Sequence, residues 1–206
     1  MLSAREVMQV SKIIPVISVN TVEESLRLAE ALLKGGVSIF EITLRTPCAL
    51  EAIEAVRKEF DEAMTGVGTV INPEQFKMAE DAGASFAISP GLTKSLAEYE
   101  NSIPLLPGVA SASEIMQGIE YGYDAFKLFP ANIVGGAKAL KSFSAPFSDV
   151  VFCPTGGINA DNAQSFLSLK NVLCVGGSWI VPTDLIQHNR YDLITQLTKE
   201  AISTLH

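Results

Sequence analysis

Short apolar runs alternate with amphipathic, capped stretches along the whole chain. An N-terminal helix is expected before the first run, Ile13 to Val19. Thr21-Val-Glu-Glu24 then reads as a capping box, and the helix it opens ends at Gly35-Gly36. The second run, Ser38 to Leu44, leads into Thr46-Pro47, a cap followed by proline at the first helical position. The third, Thr65 to Val70, leads into Asn72-Pro73 and another helix. Ser85 to Ser89 and Pro104 to Val109 follow, the latter before a second capping box at Ser111-Ala-Ser-Glu114. Ala125 to Phe129, Val150 to Cys153 and Val172 to Val175 complete the runs, and a helical pattern from Asp192 to Leu205 closes the chain. The stretch Ser142 to Ser148 reads as a loop.

Runs that are apolar on both faces indicate parallel strands covered on both sides. About eight sequential strand–helix units predict an α/β fold, a compact (β/α)8 barrel, in preference to an open sheet with fewer strands. No linker, low-complexity segment or charge run divides the chain, so residues 1–206 are expected to form one domain.

Composition narrows the function. Hydrophobic residues make up 48% and charged residues 18% of the 206, enough to bury a sizeable core. A formal net charge of −8 argues against nucleic-acid or anionic-membrane partners, which gain no counterion release from an acidic protein. Cys48, Cys153 and Cys174 are far apart in apolar contexts and read as reduced thiols of a cytoplasmic protein. The two histidines, His188 and His206, fall in no cluster with metal-ligand spacing, so no metal is expected. Met1 to Lys12 lacks a signal-type apolar run, and no apolar stretch is long enough to span a membrane.

The candidate chemistry centres on Lys127, in the run Ala125-Phe-Lys-Leu-Phe-Pro130. An ammonium among Phe126, Leu128 and Phe129 must pair with an anion, lose its proton, or both. A neutral buried amine is what Schiff-base formation requires. In the second run Glu41, Thr43 and Arg45 share one parity, and Phe40, Ile42 and Leu44 the other. Side chains alternate along a strand, so the polar set is expected to face the barrel axis. A self-satisfied ion pair would explain any one of these charges alone. Three on two strands favour a site: Lys127 as nucleophile on a ketone, between the cation of Arg45 and apolar walls that favour the neutral amine. Glu41 would move protons, and Arg45 would fork onto a substrate carboxylate.

Glycine-rich turns are weaker signals. Gly66-Val-Gly-Thr69, Ser89-Pro-Gly91 and Pro107-Gly108 are placed at strand ends. Pro154-Thr-Gly-Gly157 and Gly176-Gly-Ser178 are expected after the last two strands, where this fold usually binds phosphate through backbone N–H groups. Glycine as a mere turn-former explains either pair alone. Both together, with Ser178 opening Trp179-Ile180, favour a phosphate site.

At these residues the chain resembles the class I 2-keto-3-deoxy-6-phosphogluconate (KDPG) aldolase and 4-hydroxy-2-oxoglutarate (KHG) aldolase family. The resemblance rests on Glu-Ile-Thr-Leu-Arg-Thr at 41–46, Gly-Thr-Val at 68–70, Ile-Ser-Pro-Gly at 88–91, Phe-Lys-Leu-Phe-Pro-Ala at 126–131, Phe-Cys-Pro-Thr-Gly-Gly-Ile at 152–158 and Gly-Gly-Ser-Trp at 176–179. It implies a bacterial Entner–Doudoroff enzyme, a homotrimeric barrel that forms pyruvate and glyceraldehyde 3-phosphate from a phosphorylated 2-keto acid. It implies Lys127 as the imine-forming lysine, Glu41 as the acid/base, and Arg45 with Thr69 as ligands of the pyruvate carboxylate. It implies Pro90 and Phe129 as walls, with Phe129 over the pyruvyl methyl, and Thr155 as the residue that orients the aldehyde hydroxyls. Gly156, Gly157, Gly177 and Ser178 are implied as the phosphate end. It implies no cofactor beyond the lysine imine. One departure is Asn132, where the family pattern leads one to expect Glu.

Three rivals remain at this point. A 2-keto-3-deoxy-6-phosphogalactonate aldolase keeps the fold and the lysine but takes the C4 epimer. A phosphosugar isomerase or epimerase would need no imine. A non-catalytic phosphometabolite-binding protein would have no use for a neutral lysine.

Overall fold

The structure, a computed structural model, describes residues 2–205. Met1 and His206 lie outside the described residues. The expected N-terminal helix is α1 (Ala4–Gln9), opened by a full capping box between Ser3 and Glu6. The chain then alternates β1 (Ile13–Ile17), α2 (Val22–Lys34), β2 (Ile39–Thr43), α3 (Ala49–Glu59), β3 (Met64–Gly68), α4 (Pro73–Asp81), β4 (Ala87–Ile88) and α5 (Lys94–Ala97). Two short strands follow, β5 (Leu105–Leu106) and β6 (Gly108–Val109), then α6 (Ala112–Glu120), β7 (Ala125–Leu128), α7 (Gly136–Phe143) and β8 (Val151–Pro154). The last elements are α8 (Ala163–Leu167), β9 (Val175–Gly177), α9 (Thr183–Gln187) and α10 (Tyr191–Thr204).

All strand pairs are parallel. They form a curled six-stranded sheet in the order β5-β4-β3-β2-β1-β9 and a three-stranded sheet in the order β6-β7-β8. The fifth apolar run, expected as one strand, is divided at Pro107. Proline carries no N–H to continue the ladder toward β4. The Pro107 carbonyl instead accepts from the Lys127 amide at 2.9 Å, so the chain changes partner there. Between the two sheets Phe152 meets Val172 and Thr155 meets Gly176 in single parallel bridges.

Local signals act largely as expected. Thr21 caps α2 by accepting from the Glu24 amide, although the Glu24 carboxylate takes the Asn20 N–H in place of its own cap's. Ser111 and Glu114 form the expected box on α6, and Asn72 caps α4 with Pro73 at its first turn. Thr46-Pro47 does not cap α3: the helix starts at Ala49 behind Cys48, with no side-chain cap. The stretch from Ser142 is helical through Phe143 before it turns. The last strand lies at Val175–Gly177, three residues beyond the expected start at Val172, so its glycines are within the strand and not after it. Gly176 is there because a Cβ would fall on the Thr155 hydroxyl of the neighbouring strand. Apolar patterning alone points to the preceding residues.

The core has two parts. The larger fills the space between sheets and helices. The smaller gathers the inward-facing residues of both sheets, among them Ile14, Ile39, Phe86, Ile88, Leu106, Ala125 and Val151. Val7 and Met8 of α1 join it and are 1% and 0% exposed. Arg5 fastens α1 beside the N-terminal ends of β7 and β8, donating to the Asp124 carboxylate at 3.0 Å and the Asp149 carbonyl at 2.6 Å. Helix α1 therefore plugs this end of the interior. Cys153 and Cys174 are buried free thiols in the same cluster, and burial pushes the Cys174 thiol well up from its ordinary pKa. Cys48 is a half-buried free thiol.

If α1 is a structural plug, Met8→Ala should cost about 2–5 kcal/mol in urea unfolding, the range for a truncated core side chain. A cost under about 1 kcal/mol would show that the site tolerates collapse.

Candidate functional site

The opposite end of the strands opens into a cavity of about 390 Å³. Each of the eleven residues singled out from sequence lines it: Lys127, Glu41, Arg45, Thr69, Pro90, Phe129, Thr155, Gly156, Gly157, Gly177 and Ser178. They come from the ends of six different strands and the turns after them, which local sequence cannot bring together.

Lys127 and Glu41 form the floor. Their side chains are 7% and 2% exposed, and Lys127 Nζ lies 3.5 Å from Glu41 Oε1. That is an ion-pair distance at the limit of a hydrogen bond. The pairing follows from strand parity: Glu41 sits on β2 opposite Gly66 of β3, and Lys127 on β7 opposite Gly108 and Cys153. Gly68 makes room for the carboxylate, since a Cβ at this position would coincide with the Glu41 side chain. The ring of Phe129 stands 5.1 Å from Lys127 Nζ, a cation–π distance that also keeps one side of the amine dry.

Exposure rises toward the mouth. Thr155 is buried beside the floor, and Thr69, Pro90, Phe129 and Gly156 are half-buried above it. Arg45, Gly157 and Ser178 are exposed at the rim. Thr69 has φ 64, a left-handed conformation that costs a non-glycine residue on the order of 1–3 kcal/mol. Strain of this kind concentrates at ligand sites, and here it sits in the turn leaving β3. Arg45 Nε donates to Thr43 Oγ1 at 3.0 Å, and Arg45 makes no ion pair among the described residues.

The turn after β8 carries Gly156 and Gly157 at φ 100 and 78. It is tied to the turn after β7 by three contacts: the Ala131 amide to the Thr155 carbonyl at 2.7 Å, the Asn132 amide to the Gly156 carbonyl at 3.1 Å, and Asn132 Nδ2 to the Gly157 carbonyl at 2.5 Å. Asn162 Nδ2 donates to the same Gly157 carbonyl at 2.9 Å. Asn132, the departure noted in sequence, is thus a donor that an ionised Glu could not replace.

Val16, Thr43 and Ile158 also line the cavity. Thr43 was visible in the polar parity of β2 without a role. Val16 and Ile158 are apolar residues in or beside apolar runs and gave no signal. Among the described residues no group of three or more His, Cys, Asp or Glu is placed to hold a metal ion. No helix among them is long and apolar enough to cross a membrane.

Chemically, a buried amine beside a carboxylate, under a rim with a guanidinium and glycine-rich turns, suits covalent capture of a small anionic ketone. The chain is 50% identical to the KHG/KDPG aldolase of Escherichia coli strain K12 over 202 residues, 97% of this chain and 95% of that one. Its structure superposes with a TM-score of 0.94 on a KDPG aldolase from Legionella pneumophila with pyruvate captured as a covalent carbinolamine intermediate. Those chains are 49% identical, and 96% of this one and 97% of that one are covered. The KDPG aldolase of Zymomonas mobilis ZM4 with 3-phosphoglycerate matches with a TM-score of 0.90 and 44% identity, covering 97% of this chain and 94% of that one. The model of the KDPG and KHG aldolase family matches residues 4–197, from the helical plug through every strand of the cavity, and the chain belongs to that family.

Proposed function

We propose that this protein is a class I aldolase that cleaves 2-dehydro-3-deoxy-6-phosphogluconate to pyruvate and D-glyceraldehyde 3-phosphate, and 4-hydroxy-2-oxoglutarate to pyruvate and glyoxylate. The observation that carries this reading is the buried Lys127–Glu41 pair, 3.5 Å apart on the cavity floor. The names and close likeness of the relatives support it, and the carbinolamine in the Legionella enzyme supports a lysine-bound intermediate.

In this reading the neutral Lys127 amine attacks the C2 ketone. The new C–N bond displaces the carbonyl π electrons onto oxygen, which leaves as water after protonation, and an iminium remains. Glu41, through a water, takes the proton of the C4 hydroxyl. That hydroxyl becomes the aldehyde carbonyl as the C3–C4 bond breaks, and the bond's electron pair moves into the iminium to give an enamine. The aldehyde departs. Protonation at C3 restores the iminium, and water releases pyruvate and the free amine. The iminium is the electron sink, so the scheme assigns no step to a metal.

Arg45 and Thr69 hold the carboxylate at C1, and Phe129 packs over the side that becomes the methyl. Pro90 walls the cavity, and Thr155 orients the hydroxyls of the aldehyde half. Gly156, Gly157, Gly177 and Ser178 receive the phosphate, and the Zymomonas structure with 3-phosphoglycerate supports a phosphorylated ligand. The two sheets are read as one (β/α)8 barrel in a single domain of residues 1–206. The Phe152–Val172 and Thr155–Gly176 bridges and the continuity of the chain through Pro107 support this. A homotrimer is proposed from the family resemblance, and a cytoplasmic location is in keeping with three free thiols.

Borohydride reduction in the presence of pyruvate, followed by peptide mass mapping, should find one reduced pyruvyl adduct on Lys127. No adduct in folded protein would overturn the imine mechanism. Lys127→Ala should abolish cleavage while the fold survives. Glu41→Gln should slow turnover by on the order of 10²–10⁴, and an unchanged rate would remove Glu41 from the scheme. Faster cleavage of the phosphogalactonate epimer than of the phosphogluconate would reassign only the configuration accepted at C4, since both epimers give the same aldehyde.

A further inference from the structure

We propose that Thr43 is the positioning residue of Arg45: its hydroxyl fixes which way the guanidinium fork points. This rests on Arg45 being the ligand of the substrate carboxylate.

The case starts from proton bookkeeping. Thr43 is 1% exposed, and its Oγ1 has three neighbours within hydrogen-bond distance. The Ile17 carbonyl, at 2.9 Å, can only accept, so the single hydroxyl proton of Thr43 is committed to it. Arg45 Nε, at 3.0 Å, can only donate. Ser18 Oγ, at 2.8 Å, could do either. Since Thr43 has no proton left to give, Ser18 donates. The Thr43 oxygen thus gives one hydrogen bond and accepts two, which saturates it and removes its freedom to rotate.

The consequence falls on Arg45. The guanidinium is planar, and fixing Nε against β2 fixes the plane and the direction of its two terminal nitrogens. Among the described residues no carboxylate pairs with this arginine, so the tether to Thr43 is its recorded polar contact. The tether has something to choose between. Arg45 lines the main cavity and also an adjoining pocket of about 160 Å³, which shares Val16 and Ser178 with it and is walled further by Ser18, Val181, Thr183 and Ile186. An untethered arginine that borders two adjoining pockets, and is exposed to solvent, would divide its time between them. Holding Nε on a buried hydroxyl spends that conformational entropy before substrate arrives.

The distinguishing signature is a split between affinity and capacity. Thr43→Val keeps the shape and removes the hydroxyl. It should raise the pyruvate concentration that half-saturates borohydride trapping about tenfold, in line with a charge-assisted hydrogen bond. The adduct at saturating pyruvate should still reach one per chain, since Lys127 and Glu41 are untouched. Thr43→Ser, which restores the hydroxyl, should return half-saturation to within about threefold of wild type, because the same bonds can form. Thr43→Ala, which cannot overpack the site, is read beside Thr43→Val in case the latter folds poorly. Arg45→Ala serves as the reference. If Arg45→Ala raises half-saturation and Thr43→Val and Thr43→Ala leave it unchanged, the tether is irrelevant and the proposal fails. If the Thr43 variants lower the saturating adduct without moving half-saturation, Thr43 is merely structural and the proposal also fails. If Arg45→Ala itself has no effect, the assignment of the carboxylate to Arg45 is wrong, and the proposal falls with it for that separate reason.

Discussion

The rest of the site is arranged around one costly contact, the burial of Lys127 against Glu41. Removing an ammonium and a carboxylate from water costs several kcal/mol per ion, and a pair 3.5 Å apart recovers only part of it. Apolar residues of similar size would stabilise the interior better. The fold accommodates the pair by dividing its interior by height. Below, the inward positions are Ile14, Ile39, Phe86, Ala125 and Val151, closed by Val7 and Met8. Above, they are Glu41, Thr43, Lys127 and Thr155, with glycine at 68 and 176 where a side chain would exclude a polar group. The lower half supplies the rigidity that lets the upper half be polar.

Much of this was legible in the chain because strand parity is a rigid rule. Glu41, Thr43 and Arg45 alternate with Phe40, Ile42 and Leu44, and side chains two apart must share a face. Lys127 stood out because a charge in an apolar run always needs a partner. The identity of that partner, 86 residues away, depends on how β2 and β7 face each other, which no local pattern contains. The misplacements have a common cause. Hydrophobicity marked Val172 to Val175 as the last strand, but backbone pairing falls on Val175–Gly177, where small residues suit the crowded interior. Likewise the apolar run at 104–109 says nothing about the missing N–H of Pro107, which divides it between two sheets. Val16 and Ile158 were invisible because an apolar wall of a cavity and an apolar wall of a core look alike in sequence.

Asn132 shows how a local departure can be read only in three dimensions. With the Ala131 and Asn132 amides it fastens the turn after the lysine strand to the Gly156-Gly157 turn. The two glycines adopt left-handed conformations that have no preference for one another, so an external donor is what holds their shape. The lysine end and the glycine end of the cavity are in this way one mechanical unit.

The depth of the cavity has a kinetic meaning as well. With α1 packed at the other end of the interior, the exposure gradient of the cavity runs from Lys127 at the bottom to Gly157 and Ser178 at the lip. Whatever is bonded to the lysine lies beneath whatever rests on the glycine turn. In the proposed mechanism the fragment at the lip leaves first, the fragment bonded to the lysine leaves last, and in the reverse direction the order of entry inverts. The covalent bond to the lysine fixes that order in the proposed mechanism, and the burial gradient of the cavity runs in the same direction.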